Sequence, residues 1–500
     1  MAAIRAIPAR HPAVGLAVGV IRDGRFDMFH AHGVADIASG RPITEDTGFR
    51  IASITKTMTA IAIMQLWEEG LVDLDAPANE YLRSFRLVPA KPAWRPATVR
   101  DLLTHSAGLP ETSHLLDALR PDWGESVPVG TPLPSLAELY GGQLRVAAEP
   151  GTRFLYGNHS PATLGQIVED VSGQPLHARF RELIFEPLGM TETDLRRTDA
   201  VQARLATGYA IGGNGATVVA PREYVTAGAA SVYSTPRDMA RYVAALLGGG
   251  ANDRGRILRA ETLATMFEPH YRTDPRLTGQ GLGFMRLDLA GRIAPEHQGM
   301  MPGFHSQMTF LPDASLGVIA FTNGAKDPSL WLPAEMSTIL RQLASLPPDG
   351  IRTDVPHRPD VWSDLVGWYR LDAGASDIRV RGVMGLGVEV FVRGGALAMR
   401  FLAPIPPLLA GFPLHPDDPA DPYAFRLDMR DVGMATSKVV FSQAESLRTD
   451  AVHLDMMPLT LRKQPASTNP RRWAIAGLAG FGIAMAARRG RGRRAPLRAR

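Results

Sequence analysis

The alternation of apolar and polar positions in the first 70 residues predicts a β-hairpin followed by a helix. Within 13–33, two apolar runs flank Asp23-Gly24, a dipeptide typical of tight hairpin turns. Helical spacing follows over 53–69, and Gly70 fits a helix C-terminal stop. The apolar positions with this spacing are Ile54, Met58, Ile61, Ala62 and Leu66.

Similar patterns further along predict an α+β fold in which helices flank an antiparallel sheet. Helical spacing covers 160–173 and 235–250, whereas 299–324 has two extended runs joined by a Pro-Asp turn. The helical segments lie between extended runs that come from both ends of 1–345. We therefore expect these runs to form one sheet with helices packed on it.

A small all-β domain is predicted after a proline-rich linker at 346–360. From 361 to 465, short extended runs are separated by Gly, Pro and Asp, as in a barrel or sandwich. The remainder, 466–500, combines an apolar segment with an Arg-rich tail. The uncharged stretch 473–487 would reach about 22 Å as a helix, short of a bilayer core of about 30 Å. Weak membrane association through 473–487 and a solvated basic tail both stay open.

Composition narrows the function classes. The chain has 500 residues, 45% hydrophobic and 21% charged, as expected for a globular protein of more than one domain. It has no cysteine, and its histidines lack clustered ligand spacing, so we expect no metal and no cofactor. Nine arginines in 471–500 account for the net charge of +4, which leaves −5 on 1–470 and argues against a nucleic-acid partner. No small-residue cleavage site precedes the hairpin, so we expect no export signal and a cytoplasmic location.

The candidate chemistry begins with a lysine in a chain that otherwise uses arginine. Five of the 54 basic residues are lysines, and Lys56 follows Ser53 by three positions, which places both on one helical face. A helix N-terminus and burial both disfavour a charged amine, so Lys56 can become a neutral base, as an arginine cannot. Serine needs such a base to act as a nucleophile. Alone, the pair is equally compatible with a solvent-facing lysine on an ordinary helix.

Two further segments carry suitable side chains. Tyr156 and Asn158 follow a Pro-Gly turn. A tyrosine near a lysine can serve as general acid or base, and an asparagine can hold both the lysine and a substrate carbonyl. His297-Gln298-Gly299 is predicted to open a strand whose edge offers backbone N–H groups to a substrate. Taken singly, these residues also fit a surface tyrosine and a structural histidine.

Together, these segments resemble the serine β-lactamase and penicillin-binding-protein superfamily, in its class C-like esterase and D-aminopeptidase branch. The matching phrases cover 11–345 in the family's order: "FRIASITKTMTAIAIMQLWEEGLVDLDAPANEYL", "VRDLLTHSAGLP", "PGTRFLYGN", "SVYSTPRDMARYVAALL", "GLGF" and "HQGMMPGFHSQMTFLPDASLGVIAFTNG". The resemblance implies Ser53 as nucleophile, Lys56 as its partner, and Tyr156 as base and proton donor. It also implies that Asn158 binds substrate, and that the backbone N–H groups of Ser53 and Met300 form an oxyanion hole.

Residues 361–462 resemble the lipocalin-like β domain that is often appended in this family. One departure bears on the substrate. A β-lactamase of this fold usually has Lys-Thr-Gly where this chain has His297, Gln298 and Gly299. Neutral histidine is a weaker anion site than lysine. The resemblance therefore implies hydrolysis of an ester, amide or peptide, with weak or no β-lactamase activity. A second departure is that only about ten residues precede the hairpin, where the family has a helix.

Three other interpretations stay open from the residues. One makes the β domain and the basic tail the functional part, as a membrane-surface tether with a vestigial hydrolase fold. An α/β-hydrolase needs a G-x-S-x-G elbow, and the nearest match, "THSAG" at 104–108, has Thr104 in place of the first glycine. A catalytically silent member of the fold that binds or scaffolds partners would not need all four of the Ser, Lys, Tyr and Asn types. The favoured prediction is a serine hydrolase for a small-molecule ester, amide or peptide.

Overall fold

The computed structural model describes residues 2–372, 374, 377–446 and 448–471. The predicted apolar segment 473–487 lies outside the described residues. Within them, a seven-stranded antiparallel sheet is built from both ends of the first 345 residues, which confirms the predicted α+β class. Its strands, in spatial order, are Met285–Leu289, Arg292–Met301, Phe304–Leu311, Leu316–Thr322, Gly15–Arg22, Arg25–Asp36 and Arg41–Pro42.

Both faces of the sheet are covered, which explains the continuous apolar run of the first strand. Ala17 and Ile21 point into the larger core, and Leu16, Val18 and Val20 point into a second core. The strand is therefore central and buried on two sides rather than alternating apolar and polar. Helix Pro328–Leu343 covers the second face, together with two short helices, Ala2–Arg5 and Ile7–Arg10, formed by the residues that precede the hairpin.

The other helices lie mainly on the first face and in the excursion between the two halves of the sheet. They are Thr55–Glu68, Val99–Leu103, Leu136–Tyr140, His159–Ser172, Leu176–Phe180, Glu186–Leu188, Asp199–Arg204, Ala227–Ala230, Pro236–Leu247 and Ala260–Phe267. Four small strand pairs brace this excursion: Phe49–Arg50 with Tyr233–Ser234, Arg86–Pro89 with Gln143–Val146, Ser126–Pro128 with Arg222–Tyr224, and Tyr209–Gly212 with Gly215–Val218. Helices predicted at 53–69, 160–173 and 235–250 are present, with shifts of a few residues at their ends.

The strand that carries His297 begins at Arg292, so the prediction that His297 opens a strand is wrong. Residues 292–296 pair with Met285–Leu289, which makes this hairpin part of the sheet. The pattern-based prediction failed because Pro295 and Glu296 interrupt the apolar run there. His297 consequently lies in the second half of its strand, beside Met308 of the next one.

The C-terminal region forms a closed eight-stranded barrel, which confirms the predicted all-β domain. Its strands are Gly367–Leu371, Val388–Arg393, Ala396–Phe401, Phe412–Asp418, Asp421–Leu427, Ser437–Gln443, Thr449–Leu454 and Leu459–Gln464. Helices Pro359–Leu365, Ile378–Met384 and Pro406–Ala410 accompany them. The barrel core includes Phe154, two residues before Tyr156, and Arg276 binds Asp421 at 2.9 Å. The barrel thus packs against the segment that carries the predicted tyrosine.

Across the part of the chain that the structure describes, every helix falls short of the length and hydrophobicity that a membrane crossing requires.

Candidate active site

The predicted nucleophile lies on a strained turn at the start of the central helix. Ser53 belongs to a 3-10 turn, Ala52–Ile54, and the α-helix begins at Thr55, two residues later than predicted. Ala52 has a φ of 47°, in the left-handed region that a residue with a Cβ seldom adopts. Such outliers occur preferentially at functional sites, where the surrounding structure holds them in place. The side chain of Ser53 is nearly buried, at 8% exposure.

Lys56 lies in the first turn of the helix and reaches Ser53. Its Nζ is 2.8 Å from Ser53 Oγ, 2.8 Å from Asn158 Oδ1 and 3.0 Å from the Ala229 carbonyl oxygen. Two of these three neighbours can only accept hydrogen bonds, so they fix two N–H groups of Lys56. The third position faces a hydroxyl, which can accept from an ammonium or donate to a neutral amine. One proton moved between Nζ and Oγ therefore leaves the other two hydrogen bonds intact.

Tyr156 lies beside this pair, as predicted. Lys56 Nζ is 5.2 Å from the centroid of the Tyr156 ring, within the range of a cation–π contact. The ring is flanked by two histidines, with centroid separations of 4.7 Å to His105 and 6.3 Å to His297. The structure thus brings Tyr156 to the Ser53–Lys56 pair, although Tyr156 lies 100 residues after Lys56 in the sequence.

Asn158 joins the cluster through both ends of its amide. While Oδ1 accepts from Lys56, Nδ2 donates to Glu125 Oε2 at 2.7 Å. The carboxylate therefore settles which way the amide faces, because it can only accept. One N–H of Asn158 is left for a substrate, as the prediction for this residue requires.

Glu125 was not found from the sequence. It is 2% exposed and also accepts from Thr226 Oγ1 at 3.0 Å, and its Oε1 is 3.8 Å from His159 Nε2. It lies in a loop just before strand Ser126–Pro128. The fold brings Glu125 into contact with the Asn158 amide, although the two residues are 33 positions apart in the chain.

His297 is buried next to the cluster and is uncharged. Burial, with a smaller contribution from the charge of Lys56, lowers the pKa of His297 to about 3. Its Nδ1 lies 2.8 Å from the backbone oxygen of Gln298, so a neutral ring with the proton on Nδ1 fits this contact. The prediction of a weak anion site at this position is consistent with that geometry.

Gly299 allows the strand to lie against the nucleophile turn. A Cβ at this position would come within 2.1 Å of the Ile51 carbonyl oxygen and 2.2 Å of Ser306 Oγ. Ser306 Oγ in turn donates to Ile51 O at 2.8 Å. Glycine is needed here for the approach of strand to turn, in addition to the predicted approach of substrate. Met300 follows with half of its side chain exposed.

His105 is a second residue that sequence reasoning did not select. It lies in "THSAG", has a φ of 56°, and is buried against the Tyr156 ring. Burial, with a smaller contribution from the charge of Lys56, lowers the pKa of His105 well below its usual range. Its backbone oxygen accepts from Leu155 N at 2.7 Å, which fastens this loop to the segment that carries Tyr156. The sequence offered this segment as a family phrase and as a nucleophile elbow, but it did not single out His105.

Comparisons with known proteins match most of this chain to a family. Residues 2–337 match the family described as Beta-lactamase. Protein Rv1367c of Mycobacterium tuberculosis (strain ATCC 25618 / H37Rv) is 32% identical over 268 residues, which is 50% of this chain and 64% of that protein. Esterase EstB of Burkholderia gladioli is 28% identical over 348 residues, 62% of this chain and 86% of the esterase. The match thus spans less than two thirds of Rv1367c but most of EstB.

A solved structure extends the likeness to the barrel. The octameric penicillin-binding protein homologue from Pyrococcus abyssi superposes with a TM-score of 0.57 at 23% sequence identity. The superposition covers 92% of this chain and 98% of the archaeal one. At this identity, the likeness shows a shared fold.

Proposed function

Because the chain belongs to the Beta-lactamase family, we propose that it is a serine hydrolase that cleaves an ester, amide or peptide bond through an acyl-enzyme. The observation that carries this proposal is the 2.8 Å separation of Lys56 Nζ from Ser53 Oγ, with the Tyr156 ring beside Lys56. Hydrogen-bond contact between a serine and a buried amine is the arrangement that activates a hydroxyl nucleophile.

In the proposed mechanism, Lys56 and Tyr156 take the proton of Ser53 as its Oγ attacks the acyl carbon. The backbone N–H groups of Ser53 and Met300 stabilise the oxyanion that forms. Tyr156 then protonates the leaving group, which departs and leaves an ester on Ser53. A water molecule deprotonated by the same pair releases the acid and returns the proton to Ser53.

Asn158 and Glu125 are assigned supporting roles. Asn158 holds Lys56 through Oδ1 and offers one N–H to the substrate carbonyl. Glu125 is a positioning residue, because its bond to Nδ2 keeps Oδ1 turned towards Lys56. A flipped amide would place N–H groups against the amine and break two hydrogen bonds at once.

The substrate class follows from His297. A neutral ring in place of a lysine removes the cation that would attract the carboxylate of a penicillin. Weak or absent β-lactamase activity is therefore proposed, with activity on esters, amides or peptides instead. The esterase name of EstB, which aligns with 62% of this chain, supports testing esters first.

Ser53→Ala provides the test. The variant is expected to lose turnover of nitrophenyl butyrate while its melting temperature stays close to that of the wild type. A panel of nitrophenyl butyrate, nitrocefin and D-alanyl amides then ranks the substrate classes. Turnover that persists in Ser53→Ala would move the nucleophile elsewhere. A wild-type protein inert to every substrate and to fluorophosphonates would instead favour a silent binding fold.

A further inference from the structure

A cavity of about 300 Å³ lies next to the catalytic cluster and is not used by the proposed mechanism. On one side it is lined by Met301, Pro302 and Phe304, which follow Met300 in the chain. On the other side it is lined by Arg50, three residues before Ser53. The cavity therefore shares two structural elements with the site but none of Ser53, Lys56 or Tyr156. Its volume is at the lower end of the range for small-molecule sites.

Arg50 is a buried cation in the wall of this cavity. It is 6% exposed, and its guanidinium lies 5.2 Å from the Tyr224 ring and 4.9 Å from the Tyr233 ring. Nη1 donates to the Arg222 carbonyl oxygen, but Nε and Nη2 are buried without a hydrogen-bond partner among the described residues. Buried charged groups are normally paired, because desolvation without compensation is costly.

The two tyrosines do not provide the missing anion. Burial raises the pKa of Tyr233 to about 12 and raises that of Tyr224 further still, so both phenols are neutral. Their faces can stabilise a guanidinium by cation–π contact, but they leave its N–H groups without acceptors. Arg50 therefore keeps its charge and two unused donors.

Two other arginines line the same cavity and differ in their pairing. Arg222 is neutralised by Asp122 at 3.2 Å and donates to Ser126 Oγ at 2.7 Å. Arg197 has a buried Nε that, within the described ranges, lacks a hydrogen-bond partner. Three arginines thus meet one lining carboxylate, that of Asp122. This imbalance leaves excess positive charge in the wall of a partly open cavity.

We infer that this cavity binds a small molecule through a carboxylate group that is held by Arg197 and attracted by the nearby charge of Arg50. A planar carboxylate matches the fork of a guanidinium and can accept two parallel hydrogen bonds. The apolar part of the ligand would pack on Tyr224, Met301 and Phe304. The inference does not depend on the chemistry of Ser53, since the ligand needs only to bind.

Calorimetric titration of Ser53→Ala protein with glutarate tests this without turnover. Glutaramide, which has the same chain length but no charge, serves as the ligand control and is expected not to bind. Arg197→Gln is expected to weaken glutarate binding about tenfold or more, as for loss of a charge-assisted hydrogen bond. The matched control is the neighbouring Arg196→Gln, because Arg196 is exposed and outside the cavity.

Arg197→Lys, which keeps the charge but not the fork, is expected to bind with intermediate affinity, and melting curves check that each variant is folded. The inference is overturned if glutarate does not bind, or if Arg196→Gln weakens binding as much as Arg197→Gln. Tighter binding of inorganic phosphate than of glutarate would overturn the assignment to a carboxylate. Binding of glutarate by a protein that hydrolyses no ester, amide or peptide of the panel and takes up no fluorophosphonate would leave the inference standing and remove the proposed function.

Discussion

Two buried cations, six residues apart on one segment, have opposite surroundings. Lys56 has three hydrogen-bond partners within 3.0 Å, each supplied by a different part of the fold. Arg50 has one backbone acceptor and two nitrogens without any partner among the described residues. The amine of Lys56 is preorganised to exchange a proton with Ser53. The guanidinium of Arg50 leaves positive charge beside the cavity that is inferred to bind a carboxylate.

Substitution of Lys56, which has hydrogen-bond partners from three parts of the fold, is expected to have the largest effect. Lys56→Ala is expected to lower kcat/KM for nitrophenyl butyrate by about 10³-fold or more, because Ser53 loses its base. The matched control, Lys326→Ala, removes an exposed lysine and is expected to keep wild-type rates. Comparable rates in Lys56→Ala and the control would contradict the assigned role.

The hydrogen bond from Lys56 to Asn158 depends on Glu125, because Glu125 holds the Asn158 amide in place. Glu125→Gln is therefore expected to disturb Lys56 indirectly. We expect kcat to fall about tenfold, a typical effect of losing a supporting hydrogen bond to a charged group. The acid limb of kcat/KM should also move to lower pH, because an uncharged neighbour no longer favours the protonated amine. Glu149→Gln, on an exposed carboxylate, is the control. A lowered rate with an unmoved limb would indicate a purely structural role.

A third cation placed in the same region would sharpen the comparison. His297→Lys is expected to raise acylation by nitrocefin several-fold, since it restores a positive charge where a penicillin carboxylate would bind. His297→Gln is the control, because His297 with a pKa of about 3 is already neutral at working pH. For the same reason, His297→Gln should leave the shape of the pH profile between pH 5 and 9 unchanged. A new limb in that range would contradict the neutral assignment.

A last effect, on stability rather than on rate, concerns a buried carboxyl group, Glu296, whose hydrogen-bond partners are neutral. Burial raises the pKa of Glu296 from 4.5 to about 7, against hydrogen bonds from Gln307 and Thr309 that act in the opposite direction. Because the folded pKa lies above the unfolded one, this group stabilises the fold below about pH 4.5, and the contribution is lost as pH rises through 7. The change is on the order of 3 kcal/mol.

Glu296→Gln should remove that pH dependence. Urea unfolding at pH 4.5 and pH 8 measures it, and the variant is expected to lose less stability over this interval than the wild type. Glu149→Gln should behave as the wild type does. Equal losses in all three proteins would mean that Glu296 is solvated.

The sequence was most informative where function depends on a local motif. Ser53 and Lys56 lie one turn apart, and Tyr156 and Asn158 share one loop, so their types and spacing pointed to the cluster. The structure adds what local patterns do not contain. Glu125 and His105 acquire their positions only through long-range contacts, and Arg50 gave no signal because its environment is set by two distant tyrosines.

The fold was predictable to a similar depth. Gly70 and Gly173 marked helix ends correctly, because both residues have positive φ values that favour glycine. The start of the nucleophile helix was missed, since the left-handed turn at Ala52 is imposed by neighbouring strands rather than by its own sequence. The strand from Arg292 was missed because its pairing with Met285–Leu289 outweighs the weak strand propensity of Pro295 and Glu296.

Adduct mapping of the intact protein tests the central claim most directly. After treatment with a fluorophosphonate, digestion and mass spectrometry are expected to find one modified serine, Ser53, in the wild type. Lys56→Ala should remain folded and carry little or no label. Labelling of a different serine, or equal labelling of Ser53 with and without Lys56, would contradict the account.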